Sequence, residues 1–148
     1  PAVNTILFIC TGNTCRSPMA EAIARSVLDG KDTFVASAGV AAGDGAPTSR
    51  ETLRALESMG IEYQGHSTPL SAEMIRNADL VLCMTRSHQD VARRLVEGDP
   101  DQEAKVLLLD PDGDVPDPIG QGQSRYDELA EFFSKIIPDR VAALSQKN

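Results

Sequence analysis

The sequence predicts an α/β fold in which a four-stranded parallel sheet lies between two layers of helices. Short apolar runs alternate along the chain with segments whose apolar residues recur at helical spacing. This alternation favours a parallel sheet, because each helix returns the chain to the start of the next strand. The 148 residues suffice for one hydrophobic core without disulfides or metals, so we expect residues 1–148 to form a single domain.

The first part of the chain predicts two strands separated by a helix. Residues 6–9, Ile-Leu-Phe-Ile, form a continuous apolar run that is typical of a buried parallel strand. Apolar residues at i, i+4 and i+8 then predict one face of a helix that stops near Gly30: Met19, Ile23 and Val27. Residues 33–37 predict a second short strand.

Two further helices are predicted before the third strand. Thr48-Ser-Arg-Glu51 has the form of a capping box, in which the outer side chains bond to each other's backbone N–H groups. The helix that it opens places Leu53 and Leu56 inward and ends at Gly60. Ser71 is the predicted N-cap of a short third helix.

The second half of the chain predicts two more strands and two more helices. Residues 79–84 and 105–109 are the predicted third and fourth strands, and residues 87–95 the helix between them. A final helix begins near Ser124 and buries four large side chains: Leu129, Phe132, Phe133 and Ile136. Pro138 is expected to kink or restart this helix, because proline lacks a backbone N–H group.

The most informative segment joins the first strand to the first helix. It reads Cys10-Thr-Gly-Asn-Thr-Cys-Arg-Ser-Pro18, with five residues between Cys10 and Arg16. Unpaired backbone N–H groups and the positive end of the dipole at a helix N-terminus bind anions, and the guanidinium of Arg16 adds to them. The same positive field favours the thiolate form of Cys10, which can attack the phosphorus of a bound phosphoryl group. The segment therefore predicts a phosphate site that carries its own nucleophile.

Other residues of this segment support the prediction, which the cysteine and arginine alone would not. Gly12 permits a close backbone turn, and Pro18 suits the first turn of a helix. Asn13 and Ser17 supply short polar side chains that can brace the loop. The loop follows a parallel strand, at the edge of the sheet where such folds bind ligands.

The segment Cys10-Thr-Gly-Asn-Thr-Cys-Arg-Ser-Pro-Met-Ala-Glu-Ala22 resembles the signature of the low-molecular-weight protein tyrosine phosphatases. It is most similar to that of their bacterial protein-arginine-phosphatase branch. Weaker similarities extend over nearly the whole chain, at residues 37–39, 66–70, 78–82 and 114–118. The resemblance implies a flavodoxin-like topology and a cysteine-dependent protein phosphatase that forms a phosphocysteine intermediate and needs no cofactor.

The resemblance also implies a role for each residue of the loop. Cys10 is the expected nucleophile, and Arg16 is expected to bind the phosphoryl oxygens together with the backbone N–H groups. The expected substrate-binding residues are Thr11, Gly12, Asn13, Thr14, Cys15, Ser17 and, in the outer pocket, Ile119. Cys15 is also the expected partner of Cys10 in a reversible disulfide.

An acidic, proline-bearing loop at residues 110–120 supplies the candidate acid. The leaving group needs a proton and the phosphocysteine then needs an activated water, so one carboxylic acid can serve both steps. The resemblance selects Asp117, which Pro118 follows, as this acid. Asp110 also precedes a proline and is the alternative.

Few residues bear on the substrate. Relatives that act on phosphotyrosine usually wall the pocket with aromatic rings, but residues 40–45 contain none and Ile119 stands where a ring would follow Asp-Pro. Ile119 departs from the arginine branch as well. Thr14 resembles that branch, whereas the tyrosine branch commonly has a bulky aliphatic residue there. We therefore favour phosphoarginine over phosphotyrosine, which stays the alternative.

Two other functions stay open. Arsenate reductases of this fold pass oxidation to two further cysteines near the third strand, and here Cys83 lies near the first position but Asp90 near the second. A phosphate-binding or redox-sensing module without turnover is the other alternative. His66 and His88 are interpreted as structural or surface histidines and Cys83 as a packed core thiol, and no metal site is predicted from their spacing.

Composition bounds the partners and the compartment. A net charge of −8 and a pI near 4.7 argue against nucleic-acid and anionic-membrane partners. The N-terminus lacks the basic region of a signal peptide, no apolar run approaches the roughly 20 residues of a membrane span, and the number of cysteines is odd. We expect a cytoplasmic monomer whose partners are phosphorylated protein substrates.

Overall fold

The computed structural model describes residues 3–28 and 32–146, and these residues form the predicted α/β architecture. The strands are β1 (Thr5–Cys10), β2 (Phe34–Gly39), β3 (Leu80–Cys83) and β4 (Val106–Leu108). The helices are α1 (Arg16–Val27), α2 (Arg50–Ser58), α3 (Ala72–Asn77), α4 (Arg86–Leu95), α5 (Pro100–Ala104) and α6 (Gln123–Gln146). Within these described ranges, no helix combines the length and apolar character needed to cross a membrane.

All strand pairs of the sheet are parallel, and the strand order is β2-β1-β3-β4. The order reverses at β1, which pairs with β2 on one side and β3 on the other. Ligands in such sheets bind beyond the carboxyl ends of the strands at the point of reversal. Cys10, the last residue of β1, lies at this point.

Helices cover both faces of the sheet, as the alternation of elements predicts. Successive residues of β1 point to opposite faces, so Ile6 and Phe8 belong to one apolar cluster and Leu7 and Ile9 to the other. The first cluster includes buried residues of α1, α2 and α6, and the second includes buried residues of α3 and α4. Both layers hold the carboxyl end of β1 in place.

The cap of α2 lies one residue later than the sequence predicts. Ser49 is the N-cap, and its Oγ accepts the backbone N–H of Thr52, whereas Thr48 donates its hydroxyl to the carbonyl of Gly65. The shift turns Thr52 fully inward and leaves Leu53 half-buried. The predicted capping box is therefore wrong, because Thr48 is held by the chain before α3 instead of by its own helix.

The predicted core face of α1 is wrong at one residue. Val27 is 39% exposed, whereas Met19 and Ile23 are fully buried, so the inward face ends before the last turn. Leu28 is buried and caps the helix, with its N–H donating to the carbonyl of Ala24. Gly30, the predicted end of the helix, lies outside the described residues.

The predicted core face of α6 is also displaced by one residue. Phe133 is buried but Phe132 is 37% exposed, and Ile137 is buried while Ile136 is only partly so. The helix continues through Pro138 without restarting. Buried residues on both sides of the proline, up to Leu144, pack the helix on the core and offset the hydrogen bond that Pro138 cannot make.

The other differences in the second half are small. Helix α4 begins at Arg86, one residue earlier than predicted, with Thr85 as its N-cap. Helix α5, which has five residues, none of them buried, precedes β4 and was not predicted from the sequence. A helix this short and exposed has no apolar periodicity by which it could be found.

Gly39, at the end of β2, packs directly against the loop that follows β1. A Cβ atom at this residue would collide with the carbonyl oxygen of Thr11 and lie 2.9 Å from the backbone nitrogen of Asn13. Backbone atoms cannot move aside as a flexible side chain can. Gly39 is therefore required for the close approach of β2 to the loop.

We expect Gly39→Ala to lower the free energy of unfolding by about 1–3 kcal/mol, since it overpacks a site walled by backbone. It should also displace the loop and so lower turnover. Gly43→Ala is the matched control, because a Cβ there has no heavy atom within 4 Å. Urea unfolding of the two variants is the measurement, and equal stability of both would contradict this account of Gly39.

Candidate active site

The loop between β1 and α1 forms one wall of a pocket of about 170 Å³ at the carboxyl edge of the sheet. The pocket is lined by Cys10, Thr11, Gly12, Thr14, Cys15, Arg16, Asp117 and Ile119. The structure thus brings together eight of the residues that the sequence analysis selected. The remaining two, Asn13 and Ser17, are buried behind the loop.

Asn13 holds the loop in its turned shape. Its φ of 57° lies in the left-handed region, which asparagine tolerates better than most residues. The side-chain Oδ1 accepts the N–H of Thr68 at 2.9 Å, and Nδ2 donates to Ser17 Oγ at 2.8 Å and to Ser37 Oγ at 2.9 Å. One buried amide therefore ties the loop to α1, to β2 and to the segment before α3.

Ser17 directs a hydroxyl group at Cys10. The distance between Cys10 Sγ and Ser17 Oγ is 2.8 Å, and both residues are buried. Because Ser17 Oγ accepts a hydrogen bond from Asn13, its own hydrogen is free to point at the sulfur. A donor in this position stabilises a thiolate.

The first turn of α1 faces the pocket without a side-chain cap. Cys15 is the N-cap residue, and its side chain accepts no hydrogen bond from the helix. The N-terminus of α2 holds the loop from outside, where Ser49 N–H donates to the Thr14 carbonyl and the Thr52 hydroxyl to the Cys15 carbonyl. Uncapped N–H groups at a helix N-terminus attract anions.

Arg16 places a positive charge at the wall of the pocket. Its side chain is buried, with Nη1 donating to the carbonyl of Val115 at 2.9 Å and Nη2 to Thr11 Oγ1 at 3.4 Å. Nη2 also lies 3.9 Å from Asp117 Oδ2. These contacts restrict the guanidinium to one orientation beside Cys10.

Asp117 reaches the same pocket from the segment between β4 and α6. Its Oδ1 accepts the N–H of Ile119 at 3.0 Å, while Oδ2 faces Arg16, and the side chain is 47% exposed. Asp110, the alternative acid, does not line this pocket, and its Oδ1 accepts the N–H of Asp112 within its own turn. Of the two aspartates, only Asp117 lines the pocket that contains Cys10.

His88 contacts the loop, which the sequence analysis did not foresee. The residue is buried in the first turn of α4, where its Nδ1 accepts the N–H of Thr85, and its Nε2 lies 2.8 Å from Thr11 Oγ1. Burial, and then the charge of Arg16, lower the pKa of His88 to about 4. The one available signal was its position at the start of the helix that follows β3, because the carboxyl end of β3 meets the same edge of the sheet as that of β1.

Glu21 braces the loop from behind through a second set of contacts that the sequence analysis missed. Its buried carboxylate accepts the hydroxyl of Ser37 at 2.6 Å and that of Tyr63 at 3.1 Å, and it pairs with Arg25 at 2.7 Å. Burial, and then the charge of Glu21, raise the pKa of Tyr63. Because Ser37 also accepts from Asn13, the carboxylate supports the loop indirectly.

All three cysteines are free thiols. Cys15 Sγ lies 3.6 Å from the hydroxyl of Tyr126 and 3.8 Å from that of Thr14. Cys83 is packed in the cluster on the other face of the sheet, where burial raises its pKa to about 12. In the part of the chain that the structure describes, no three or more His, Cys, Asp or Glu side chains are grouped as metal ligands.

Comparisons with known proteins all indicate one family of phosphatases. Residues 5–148 match the profile of the family described as low molecular weight phosphotyrosine protein phosphatase. The chain is 42% identical to the protein-arginine-phosphatase of Geobacillus stearothermophilus over 143 residues, which cover 93% of each chain. It is 32% identical to the low molecular weight protein-tyrosine-phosphatase Etp of Escherichia coli over 147 residues, covering 97% of this chain and 96% of Etp.

Among solved structures, the fold is similar to that of a mutant of the arginine phosphatase YwlE that carries a phosphorylated active-site serine. The TM-score is 0.86 and the sequence identity 33%, over 97% of this chain and 96% of that one. The similarity therefore extends over the sheet, both helical layers and the pocket.

The low pKa of His88 predicts a contribution to the pH dependence of stability. Between the ordinary histidine pKa near 6.5 and the folded value of about 4, the unfolded chain binds a proton that the folded chain does not. The free energy of unfolding should therefore fall as the pH drops through this window. His88→Asn should flatten the slope between pH 7 and pH 5, as measured by urea unfolding.

The slope of the unmodified protein over the same pH range is the reference for this measurement. If His88→Asn and the unmodified protein had the same slope, His88 would not be held neutral by the fold.

Proposed function

The chain belongs to the low-molecular-weight phosphotyrosine protein phosphatase family and is a cysteine-based phosphatase; within that family we propose that it hydrolyses phosphoarginine in proteins. The phosphatase mechanism is supported by the grouping of Cys10, Arg16 and Asp117 around one pocket at the start of α1. The choice of phosphoarginine as the substrate is supported by the pocket rim, where Thr14 and Ile119 lie and no lining residue is aromatic.

In the first step, Cys10 Sγ attacks phosphorus and the bond from phosphorus to the leaving nitrogen breaks. Backbone N–H groups of the loop and the guanidinium of Arg16 bind the phosphoryl oxygens and offset their negative charge. The hydroxyl of Ser17 stabilises the attacking thiolate from 2.8 Å. Asp117 donates a proton to the leaving nitrogen, so arginine departs as a guanidinium.

In the second step, a water molecule attacks the phosphocysteine. Asp117, now a carboxylate, accepts a proton from this water as the oxygen bonds to phosphorus. The bond between phosphorus and sulfur breaks, which returns Cys10 as a thiolate and releases inorganic phosphate. The solved relative with a phosphorylated active-site serine in place of a cysteine supports a covalent intermediate on the nucleophile.

Three observations support phosphoarginine as the substrate. Among the described residues that line the pocket, none is aromatic, so a phenyl group would gain no stacking energy. Thr14 supplies a hydroxyl at the rim, which can hold a water molecule beside the phosphoryl group. Asp117 can pair with the planar cation of a guanidinium as well as exchange its proton.

Phosphotyrosine is the second candidate substrate. The family is named for this activity, and a relative 32% identical to the chain is called a protein-tyrosine-phosphatase. The exposed Ile119 could contact a phenyl ring by apolar packing alone. The loss of aromatic walls costs stacking worth roughly 0.5–1.5 kcal/mol, which weakens binding of such a substrate without preventing it.

We also propose that Cys15 protects the nucleophile from irreversible oxidation. Peroxide would convert the Cys10 thiolate to a sulfenic acid, and the Cys15 thiol would displace its oxygen as water to close a disulfide. Both thiols line the same pocket. A thiol reductant would then restore the free cysteines.

Cys10→Ser should abolish turnover of every substrate, because a serine hydroxyl is a far weaker nucleophile than a thiolate. Binding of inorganic phosphate, measured by titration calorimetry, should persist because backbone groups build most of the site. Cys83→Ala is the control that should keep turnover, because Cys83 lies outside the pocket, in the apolar cluster on the other face of the sheet. Appreciable activity of Cys10→Ser would refute the covalent mechanism.

Asp117→Asn should slow hydrolysis by roughly 10²–10⁴-fold, the range typical of general acid catalysis. The effect should be largest for substrates with poor leaving groups, which need the proton most. Asp110→Asn is the matched control and should change the rate little, since it lies outside the pocket. Steady-state rates of the two variants would assign the acid, and the reverse result would move that role to Asp110.

Thr14→Ile should shift preference from phosphoarginine toward phosphotyrosine. A branched aliphatic side chain would crowd the guanidinium and displace a water that the hydroxyl can hold, whereas a phenyl ring tolerates it better. A change of this size discriminates by about 1–3 kcal/mol, so we expect a tens-fold to hundredfold change in the ratio of kcat/KM values. Rates on matched phosphoarginine, phosphotyrosine and phosphoserine peptides test it, and equal effects on all three would remove the main support for arginine.

A further inference from the structure

We propose that His88 is a positioning residue of the active site, which holds the side chain of Thr11 so that the Thr11 hydroxyl donates a hydrogen bond to the phosphoryl group. The inference rests on the proposed function of the loop as the phosphate site. In this proposal the Thr11 hydroxyl binds the phosphoryl group in addition to the backbone N–H groups. His88, which is 77 positions away in the sequence, sets the direction of that hydroxyl.

The two ring nitrogens of His88 have distinct partners. The backbone N–H of Thr85 donates to Nδ1 at 3.2 Å, so Nδ1 must be unprotonated. A neutral imidazole then carries its hydrogen on Nε2, and burial together with the nearby charge of Arg16 keeps the ring neutral near pH 7. Nε2 is therefore the donor in the 2.8 Å contact with Thr11 Oγ1.

Thr11 Oγ1 receives a second hydrogen bond from Arg16 Nη2 at 3.4 Å. The two donors occupy both lone pairs of the oxygen, which leaves the hydroxyl hydrogen as its remaining polar group. Within residues 3–28 and 32–146, this hydrogen has no acceptor. Thr11 is exposed at the pocket and lines it together with Cys10 and Arg16, so a bound phosphoryl oxygen would supply the acceptor.

Histidine suits this position better than the usual capping residues. Thr85 and His88 form a capping box, and the third helical residue of such a box is commonly glutamate or glutamine. A glutamate here would place a carboxylate beside Arg16, where it would compete with phosphate for the guanidinium. A neutral imidazole accepts the N–H of Thr85 at the start of α4 with Nδ1 and donates to Thr11 with Nε2, and it adds no negative charge.

Two substitutions separate the loop contact from the helix cap. In His88→Asn the amide oxygen can replace Nδ1 as the acceptor for Thr85, but the shorter side chain cannot reach Thr11. In His88→Gln the longer amide can place an N–H group near the position of Nε2. Both keep an uncharged polar side chain at the start of α4, and Thr11→Val removes the hydroxyl with little change of shape.

We expect His88→Asn to keep its Tm but to lose roughly 10- to 100-fold in kcat/KM on p-nitrophenyl phosphate, the worth of one hydrogen bond to a charged group. Inhibition by inorganic phosphate should weaken in parallel, and His88→Gln should restore much of both. Thr11→Val should reproduce the loss. Adding His88→Asn to Thr11→Val should cost nothing further, because the histidine acts through a hydroxyl that is already gone.

The opposite results would overturn the proposal. If Asn and Gln at position 88 lost activity equally and in proportion to a fall in Tm, His88 would serve only as a helix cap. A double variant that loses the product of the two single effects would show that His88 does not act through Thr11. His66→Asn, outside the pocket, is the control that should leave kcat/KM unchanged.

Phosphate binding to the Cys10→Ser protein distinguishes this inference from the proposed function. Titration with inorganic phosphate, with and without His88→Asn, needs no turnover and no choice of leaving group. Weaker binding in the presence of His88→Asn supports the inference even if phosphoarginine is the wrong substrate. Unchanged binding refutes it even if the enzyme is shown to be an arginine phosphatase.

Discussion

The buried amide of Asn13 is the interaction on which the active-site loop depends. A loop that turns its N–H groups inward to an anion needs a residue in the left-handed region, and Asn13 adopts it with a φ of 57°. The same side chain bonds to Ser17, Ser37 and the backbone of Thr68, so the turn is locked from three elements. These bonds fix the shape of the loop in the absence of a ligand, so that under the proposed function little conformational entropy would be lost when phosphate binds.

The protein collects positive charge locally although its net charge is −8. Arg16 is buried at the pocket wall beside the uncapped N-terminus of α1. The buried carboxylate of Glu21 lies behind the loop and is neutralised by Arg25, while His88 occupies a capping position without a charge near pH 7. An acidic surface with one positive pocket can still attract a phosphorylated side chain, because field lines concentrate in a concave site.

Under the proposed function, the pocket divides into a base and a rim with different tasks. The base, which contains Cys10 and Arg16, would bind the phosphoryl group. The rim, which contains Thr14, Asp117 and Ile119, would contact the leaving group. Such a division would let one fold serve different phosphorylated side chains, and relatives of this chain carry the names of both arginine and tyrosine phosphatases.

The sequence by itself determined the succession of the four strands and of every helix except α5, and the loop that holds Cys10 and Arg16, because apolar periodicity and a short loop signature are local properties. It could not decide which residue of Thr48 and Ser49 caps α2, or that Phe133 instead of Phe132 faces the core, since one residue of displacement changes the buried face without changing the period. The meeting of His88 with Thr11 was equally out of reach. Only the register of the parallel sheet brings the ends of β1 and β3 to one edge, and that register is set by packing of both helical layers.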